Sequence, residues 1–339
     1  MEWVDCCKGI CILLVVYGHI AGGVEQSKVF GRDSVFAVLR DWVYLFHIPA
    51  FFFLSGLFAR RASDRPFLPF LRGRARALAY PYVVWTVIFV AAQAAMARFV
   101  NTPVSISRAL CFLWEPYGVG LWFLYALFLS SLYFYGLRRV RLPTIASLLI
   151  VTAMFVMSQR KVFGFWYILN ESMVFAVYFV IGGCFPQIAT ASIKWARWQL
   201  WLAALFLLAI MTLSTALPTD SWGLLKLLRA LLGVAGVVCV AMAMRGTALA
   251  ASFAFLGTYS LEVYLAHPLW GTFARGIFLR LGVHAPAVFV LGGVMLGVVG
   301  SLAMALASQR LDFPYLFRWP AKKTDTASAG TAASVGQAS

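Results

Sequence analysis

Charge is scarce in this sequence of 339 residues. Only 12% of the residues are charged, about half of what is usual in a soluble domain, whereas 62% are apolar and the mean hydropathy is +0.85. A water-soluble core does not absorb that much apolar surface. The composition therefore predicts an all-α, polytopic membrane protein.

Several chemical signatures are missing as well. The sequence has no Ser-centred nucleophile elbow, no HExxH metal pair and no glycine-rich phosphate loop. Its six cysteines lack metal-ligand spacing and lie mostly in apolar runs, which favours small buried side chains over ligands. No metal site is predicted. Glu2 and Asp5 argue against a cleaved signal peptide, so we expect the first helix to be retained.

Basic residues outnumber acidic ones by 28 to 12. They lie in short segments between apolar runs, where they orient a chain in a bilayer, so nucleic-acid binding is not predicted. With the N-terminus inside, 17 of the 28 basic residues fall in inside segments. This bias predicts a protein of the cell (inner) membrane with both termini in the cytoplasm.

About ten apolar runs reach the roughly 20 residues that span a bilayer. Residues 1–320 are expected to form one membrane domain, whereas residues 321–339, rich in Ala, Ser, Thr and Gly, predict a disordered cytoplasmic tail. No soluble second domain remains. The helices are predicted at 8–24, 42–59, 78–97, 119–137, 142–158, 168–186, 198–217, 224–244, 251–269 and 286–307.

The first helix carries the strongest candidate site, because ionisable groups at membrane depth are costly and mark function. Lys8 and His19 are 11 residues apart, which is three turns plus about 20°, and Asp5 falls on the same face. A rise of about 16 Å puts a cation at the inner surface and an imidazole deeper along one groove. This arrangement suits a long ligand with an anionic head and a reactive end. Alone, Lys8 could be a snorkelling lysine and His19 an interhelical hydrogen-bonding residue.

Three further groups are candidates for binding substrate. His47 is expected near the outer membrane interface, where water or a carbonyl would also satisfy it, and His267 at an outer helix end. Glu262 lies five residues deeper than His267, about 140° away around the helix. His284 is expected in the outer loop that follows, so all four histidines collect in the outer half or outside.

Arg72, Arg74 and Arg76 form a dense basic run, expected on the loop that enters the third helix. Membrane topology alone is one explanation for them. The other is that their guanidinium groups bind phosphates as bidentate donors.

Five sequence runs, taken together and in order, resemble the acyltransferase-3 family of multipass membrane O-acyltransferases, which modify surface glycans and antibiotics. Within that family the chain is most similar to the fucose 4-O-acetylase-like branch. The five runs are DCCKGICILLVVYGH (5–19), FHIPAFFFLSG (46–56), the basic run up to YPYVVW (80–85), GLWFLYALF (120–128) and YSLEVYLAHPL (259–269).

The resemblance implies an O-acyltransferase, usually an O-acetyltransferase, with acetyl-CoA or another acyl-CoA as donor and no permanently bound cofactor. The acceptor would be a sugar hydroxyl on a lipid-linked or exported glycan. The family's histidine falls on His19 and its basic residue on Lys8, where many members have arginine. Its donor-binding arginines fall on Arg72, Arg74 and Arg76.

The chemistry of the residues supports the same assignment. Acyl transfer to a hydroxyl needs a base, usually a neutral imidazole, and cations to hold an anionic donor. His19 is therefore the predicted catalytic base. A transporter or flippase for a glycan or lipid remains an alternative, although the sequence shows neither internal duplication nor the matched broken helices that transporters often have. A structural membrane subunit would leave the Lys8–His19 spacing unexplained.

Overall fold

The computed structural model describes residues 2–95, 120–162, 167–190, 195–218, 223–283 and 285–319. All regular elements among these residues are helices, which confirms the all-α class. The predicted tail at 321–339 lies outside the described residues, as does His284.

The α-helices follow one another with few long connections, and a π-helical turn at Ala75–Ala79 joins α5 to α6. In chain order they are α1 Glu2–Gln26, α2 Val35–Tyr44, α3 His47–Leu57, α4 Ala59–Ser63, α5 Phe67–Arg74, α6 Tyr80–Ala95, α7 Trp122–Arg139, α8 Thr144–Gln159, α9 Tyr167–Cys184, α10 Gln187–Thr190, α11 Arg197–Ser214, α12 Leu224–Ala243, α13 Ala248–Thr258, α14 Ser260–Arg280 and α15 Pro286–Arg310.

Within the described residues, seven stretches are long and apolar enough to cross a membrane, and the bent pair α13–α14 would make an eighth. Each of the ten predicted spans overlaps one or two helices, but α7 and α8 are not among these stretches. With 16 residues, α8 is only about 24 Å long, shorter than the hydrocarbon core of roughly 30 Å. The chain is a multipass membrane protein with fewer clear spans than the sequence predicted.

The predicted helix at 251–269 is wrong in shape. It is two helices, α13 and α14, bent by 78° where Tyr259 separates them, and α14 continues to Arg280. His267 therefore lies inside a helix and not at its outer end. The helix passes through Pro268, whose missing N–H removes one backbone hydrogen bond, a loss that packed neighbouring helices tolerate.

The second predicted span, 42–59, is also two helices. Phe46, with a φ of −137°, separates α2 from α3, and its carbonyl accepts the first backbone bond of α3, from Ala50. Pro49 then occupies the first turn of α3, where a missing N–H costs little. The break sets His47 at the start of α3.

The loop expected around the three arginines is helical instead. Arg72 and Arg74 belong to α5, and Arg76 to the π-helical turn. Arginine and alanine are good helix formers, so this run continues the helix despite its charge. Because Pro81 lacks an N–H, the regular ladder is interrupted, and the wider turn closes with the bond from the Tyr80 N–H to the Ala75 carbonyl.

Helix α1 is central in the bundle and contacts α2, α3, α12, α13, α14 and α15. Its closest crossing, with α13, depends on two glycines. A Cβ added at Gly9 would lie 1.9 Å from the Phe253 carbonyl oxygen, and one at Gly257 would lie 1.8 Å from the Asp5 carbonyl oxygen. Small residues of this kind let helix backbones approach in a membrane, where hydrophobic burial does not drive helix association.

The buried apolar residues form two cores that meet beside α1. One core centres on α3 and α9, and the other joins the C-terminal half of α1 to α14 and α15. Ile48, Phe51 and Phe123 pack against both cores. The candidate site lies where the two cores meet.

Candidate active site

A cavity of about 700 Å³ opens beside the C-terminal half of α1. Its volume lies within the range of roughly 300–1,000 Å³ that small-molecule sites occupy. Aromatic rings and charged groups both contribute to its wall. The wall includes His19 and Glu25 of α1, Arg40, Asp41 and Tyr44 of α2, His47 and Ile48 of α3, Trp122 of α7, and Glu171 and Phe175 of α9.

His19 is an exposed side chain on the C-terminal half of α1. It is exposed although Gly18 and Ile20 on either side of it are buried, because it borders both the large cavity and a smaller one of about 110 Å³. Gly22 and Gly23, one turn further on, leave the space beside it. Neither ring nitrogen of His19 hydrogen-bonds to a described residue.

His47 faces the large cavity from the first turn of α3 and is 4% exposed. Its Nδ1 lies 2.7 Å from the Val43 carbonyl oxygen. Because a carbonyl only accepts, Nδ1 carries the hydrogen and donates it, which leaves Nε2 as an acceptor in the neutral ring. The Tyr44 ring packs against His47 with centroids 5.1 Å apart, so this imidazole is held in one orientation.

His267 has no exposed surface, and its ring lies edge-on to that of His19, with centroids 5.0 Å apart. Both histidines line the smaller cavity. The Nδ1 of His267 donates to the Val263 carbonyl at 2.9 Å. Its Nε2 is buried without a hydrogen-bond partner. The structure therefore brings three of the predicted site residues together: His19, His47 and His267.

A set of charged residues that the sequence analysis did not select completes the large cavity. Arg40 pairs with Glu25 of α1 and donates from Nη2 to Asp41 at 2.7 Å. Glu171, half-buried on α9, has no ion-pair partner among the described residues. A carboxyl group in an otherwise apolar helix is itself a signal of function, and that signal could have identified Glu171.

Lys8 lines a different cavity, of about 180 Å³, whose wall is mostly apolar. The ammonium group lies 3.2 Å from the carboxylate of Asp5, which is on the same face of α1, and 5.7 Å from the centre of the Phe58 ring. The sequence predicted one groove from Lys8 to His19. In the structure the two residues line separate cavities, and Ile48 lines both of them.

The remaining predicted site residues lie elsewhere. Arg72 and Arg76 are exposed, and half-buried Arg74 lies over the Phe70 ring at 5.8 Å; none of the three lines the Lys8 cavity, although Leu78, two residues after Arg76, does. Glu262 is buried but pairs with Arg318 at 2.8 Å, outside the His19 cavity. The structure does not bring Glu262 to the histidines.

Comparison with known protein families shows what the chain is similar to. Residues 1–306 match the model of the acyltransferase-3 family, which is described as an acyltransferase domain. Because the match covers most of the chain, the protein belongs to this family of membrane acyltransferases. No curated protein and no solved structure matches the chain significantly.

Proposed function

We propose that this protein is a membrane O-acyltransferase that moves an acetyl group from acetyl-CoA, or another acyl group from its acyl-CoA, to a hydroxyl of a surface or exported glycan. The observation that carries the proposal is the position of His19. It is an imidazole with no hydrogen bond to a described residue, and it faces a cavity large enough for a saccharide.

The donor is assigned to the Lys8 cavity. Its apolar wall, with Phe51, Leu124 and Tyr264, suits a thin acyl-pantetheine arm, and its volume is too small for a whole coenzyme A. The phosphates would stay at the mouth, near the Lys8 ammonium group. The exposed Arg72 and Arg76 are further candidates for binding them as bidentate donors.

The acceptor is assigned to the large cavity. Tyr44, Trp122 and Phe175 offer aromatic faces to a sugar ring, and the carboxylate of Glu171 can accept hydrogen bonds from sugar hydroxyls. The Nε2 of His47, which carries a lone pair in the neutral ring, can also accept a hydrogen bond from a sugar hydroxyl. If the N-terminus is cytoplasmic, as the charge bias predicts, acyl-CoA enters from the cytoplasm of the inner membrane and the glycan from the outer side.

In the reaction, a nitrogen of His19 removes the proton of the acceptor hydroxyl as its oxygen attacks the thioester carbonyl carbon. The carbon–sulfur bond then breaks and coenzyme A leaves as a thiolate. The thiolate takes the proton back from His19, so that the products are the ester and the free thiol. No metal ion or permanently bound cofactor is required.

The test uses purified protein in lipid nanodiscs, labelled acetyl-CoA and a panel of glycan acceptors. We expect label on the acceptor and a loss of about 10²–10⁴-fold in kcat for His19→Ala, with normal membrane insertion. His47→Gln serves as the control, since it keeps a side chain at the same cavity, and should lower kcat much less. Retained transfer by His19→Ala would refute the role of the histidine. In a second arm, with the protein in sealed proteoliposomes, acceptor movement across the membrane without label would instead support a transporter.

A further inference from the structure

His267 presents a buried hydrogen-bond acceptor directly beside the proposed base. The ring has no exposed surface, and its Nε2 has no hydrogen-bond partner. Leaving a buried polar atom unpaired costs free energy, so such an atom in a folded protein calls for an explanation. Its neighbour across the smaller cavity is the ring of His19.

The protonation of His267 follows from its other nitrogen. Nδ1 lies 2.9 Å from the Val263 carbonyl oxygen, one turn earlier on α14, and must donate there. In the neutral ring, Nε2 therefore carries a lone pair and no hydrogen. It can accept a hydrogen bond but cannot donate one.

The distance between the two rings suits a bond at this lone pair. Two imidazoles joined by an N–H···N bond of about 2.9 Å have their centroids about 5 Å apart, and those of His19 and His267 are 5.0 Å apart at an interplanar angle of 68°. The proposed bond requires a rotation of the His19 ring, which is exposed and which no hydrogen bond to a described residue restrains.

Three other polar groups near His267 are already hydrogen-bonded. The Tyr264 hydroxyl donates to the Gly120 carbonyl at 3.1 Å, Arg275 donates to the Gly23 carbonyl at 3.4 Å, and Ser301 of α15 donates to the Gly297 carbonyl. No Asp or Glu is among the described residues that line the smaller cavity. On this side, within the described part of the chain, His19 therefore has no carboxylate of the kind that often orients a catalytic histidine, since the carboxyl groups of Glu25, Asp41 and Glu171 line the large cavity.

We propose that His267 is the positioning residue of His19, and the proposal rests on the function given above. Its Nε2 accepts the N–H of one His19 nitrogen, which fixes the tautomer so that the other nitrogen presents its lone pair to the acceptor hydroxyl. When His19 takes the hydroxyl proton, the hydrogen bond to His267 stabilises the resulting imidazolium. His267 gains no proton and, being inaccessible, does not touch the substrate.

This role replaces the substrate contact that the sequence predicted for His267. A residue that binds substrate affects KM, whereas one that orients the base affects kcat with little change in KM. A residue that only fills space is replaceable by an apolar side chain of similar size. These three roles give different results for two substitutions.

The experiment compares His267→Leu, which fills space without an acceptor, with His267→Gln, whose amide oxygen can accept the bond. Melting temperature and membrane insertion are measured for both. We expect kcat to fall about 10- to 100-fold in His267→Leu, as for other partners that orient a functional histidine, with both KM values within about twofold of the original. His267→Gln should recover most of the lost kcat. If His267→Leu fails to insert, His267→Phe takes its place.

Normal kcat in His267→Leu, equal losses in both variants, or a raised acceptor KM with normal kcat would each overturn the proposal. The wild-type protein separates this failure from failure of the proposed function. If it transfers no acyl group to any acceptor, the function is wrong, whereas the histidine pair is judged only on variants of an active protein.

Discussion

Lys8 and His19 share a face of α1 but line different cavities, and Ile48 lies in the walls of both. Helix α1 therefore places its lysine ammonium group at one cavity and its histidine ring at the other. Under the proposed function, we expect the acyl group to pass from one cavity to the other beside Ile48. This relationship allows donor binding, acceptor binding and chemistry to be tested at separate residues.

Lys8 is expected to act on the donor alone. We expect Lys8→Met, which keeps the length of the side chain, to raise the KM for acyl-CoA about 10-fold or more, since a hydrogen bond to a charged group contributes about 1.5–3 kcal/mol. Lys8→Arg should keep most of the affinity. Lys226→Met, at a lysine that bonds to Gln159 on another part of the bundle, is the control. An unaltered donor KM in Lys8→Met would mean that the lysine only sets membrane topology.

Ile48 is expected to control passage between the cavities. In Ile48→Trp the larger ring fills the space between the two cavities, so kcat should fall about 10-fold or more. A small misplacement of the reacting groups is enough for such a loss. Equilibrium binding of acyl-CoA should persist because the mouth at Lys8 is unaltered. Leu39→Trp, at an exposed position of α2, is the control. Normal turnover in Ile48→Trp would show that the acyl group takes another route.

Glu171 is expected to bind the acceptor. Its carboxylate borders the large cavity without an ion-pair partner among the described residues. Glu171→Gln should raise the acceptor KM about 5- to 30-fold, the equivalent of about 1–2 kcal/mol for a weakened charged hydrogen bond. The KM for acyl-CoA should stay constant. A change in the donor KM and not in the acceptor KM would place the two ligands in the opposite cavities.

The crossing of α1 with α13 should tolerate no added methyl group. A Cβ at Gly257 would overlap the Asp5 carbonyl oxygen, which is backbone and cannot rotate away. We expect Gly257→Ala to lower the free energy of unfolding by about 1–3 kcal/mol or more and to lower the melting temperature in detergent. Gly276→Ala is the matched control, because nothing lies within 4 Å of that Cβ. It should be neutral or stabilise α14 by up to about 1 kcal/mol. Equal melting temperatures for the two variants would contradict the packing.

Patterns along the chain were sufficient for part of the site. The spacing of Lys8 and His19 on one helix follows from 3.6 residues per turn, and the same geometry placed Asp5 on their face. The structure shows that Asp5 pairs with Lys8. The position of His267 was predicted less well, because apolar composition does not reveal a bend of 78° at Tyr259 or the helix beyond residue 269. Arg40 and Glu25 were missed because their partnership is made between two helices.

The sequence by itself determined that this protein is a helical membrane protein of the acyltransferase-3 family, with Lys8 and His19 three turns apart. These properties depend on composition, helical periodicity and the order of motifs, none of which requires knowledge of how the helices pack. Only the tertiary structure decided that Lys8 and His19 line separate cavities, that His267 lies edge-on to His19, and that Glu262 pairs with Arg318 away from them. Such relationships depend on how α1, α3 and α14 cross, and the crossings are set by contacts between residues far apart in sequence.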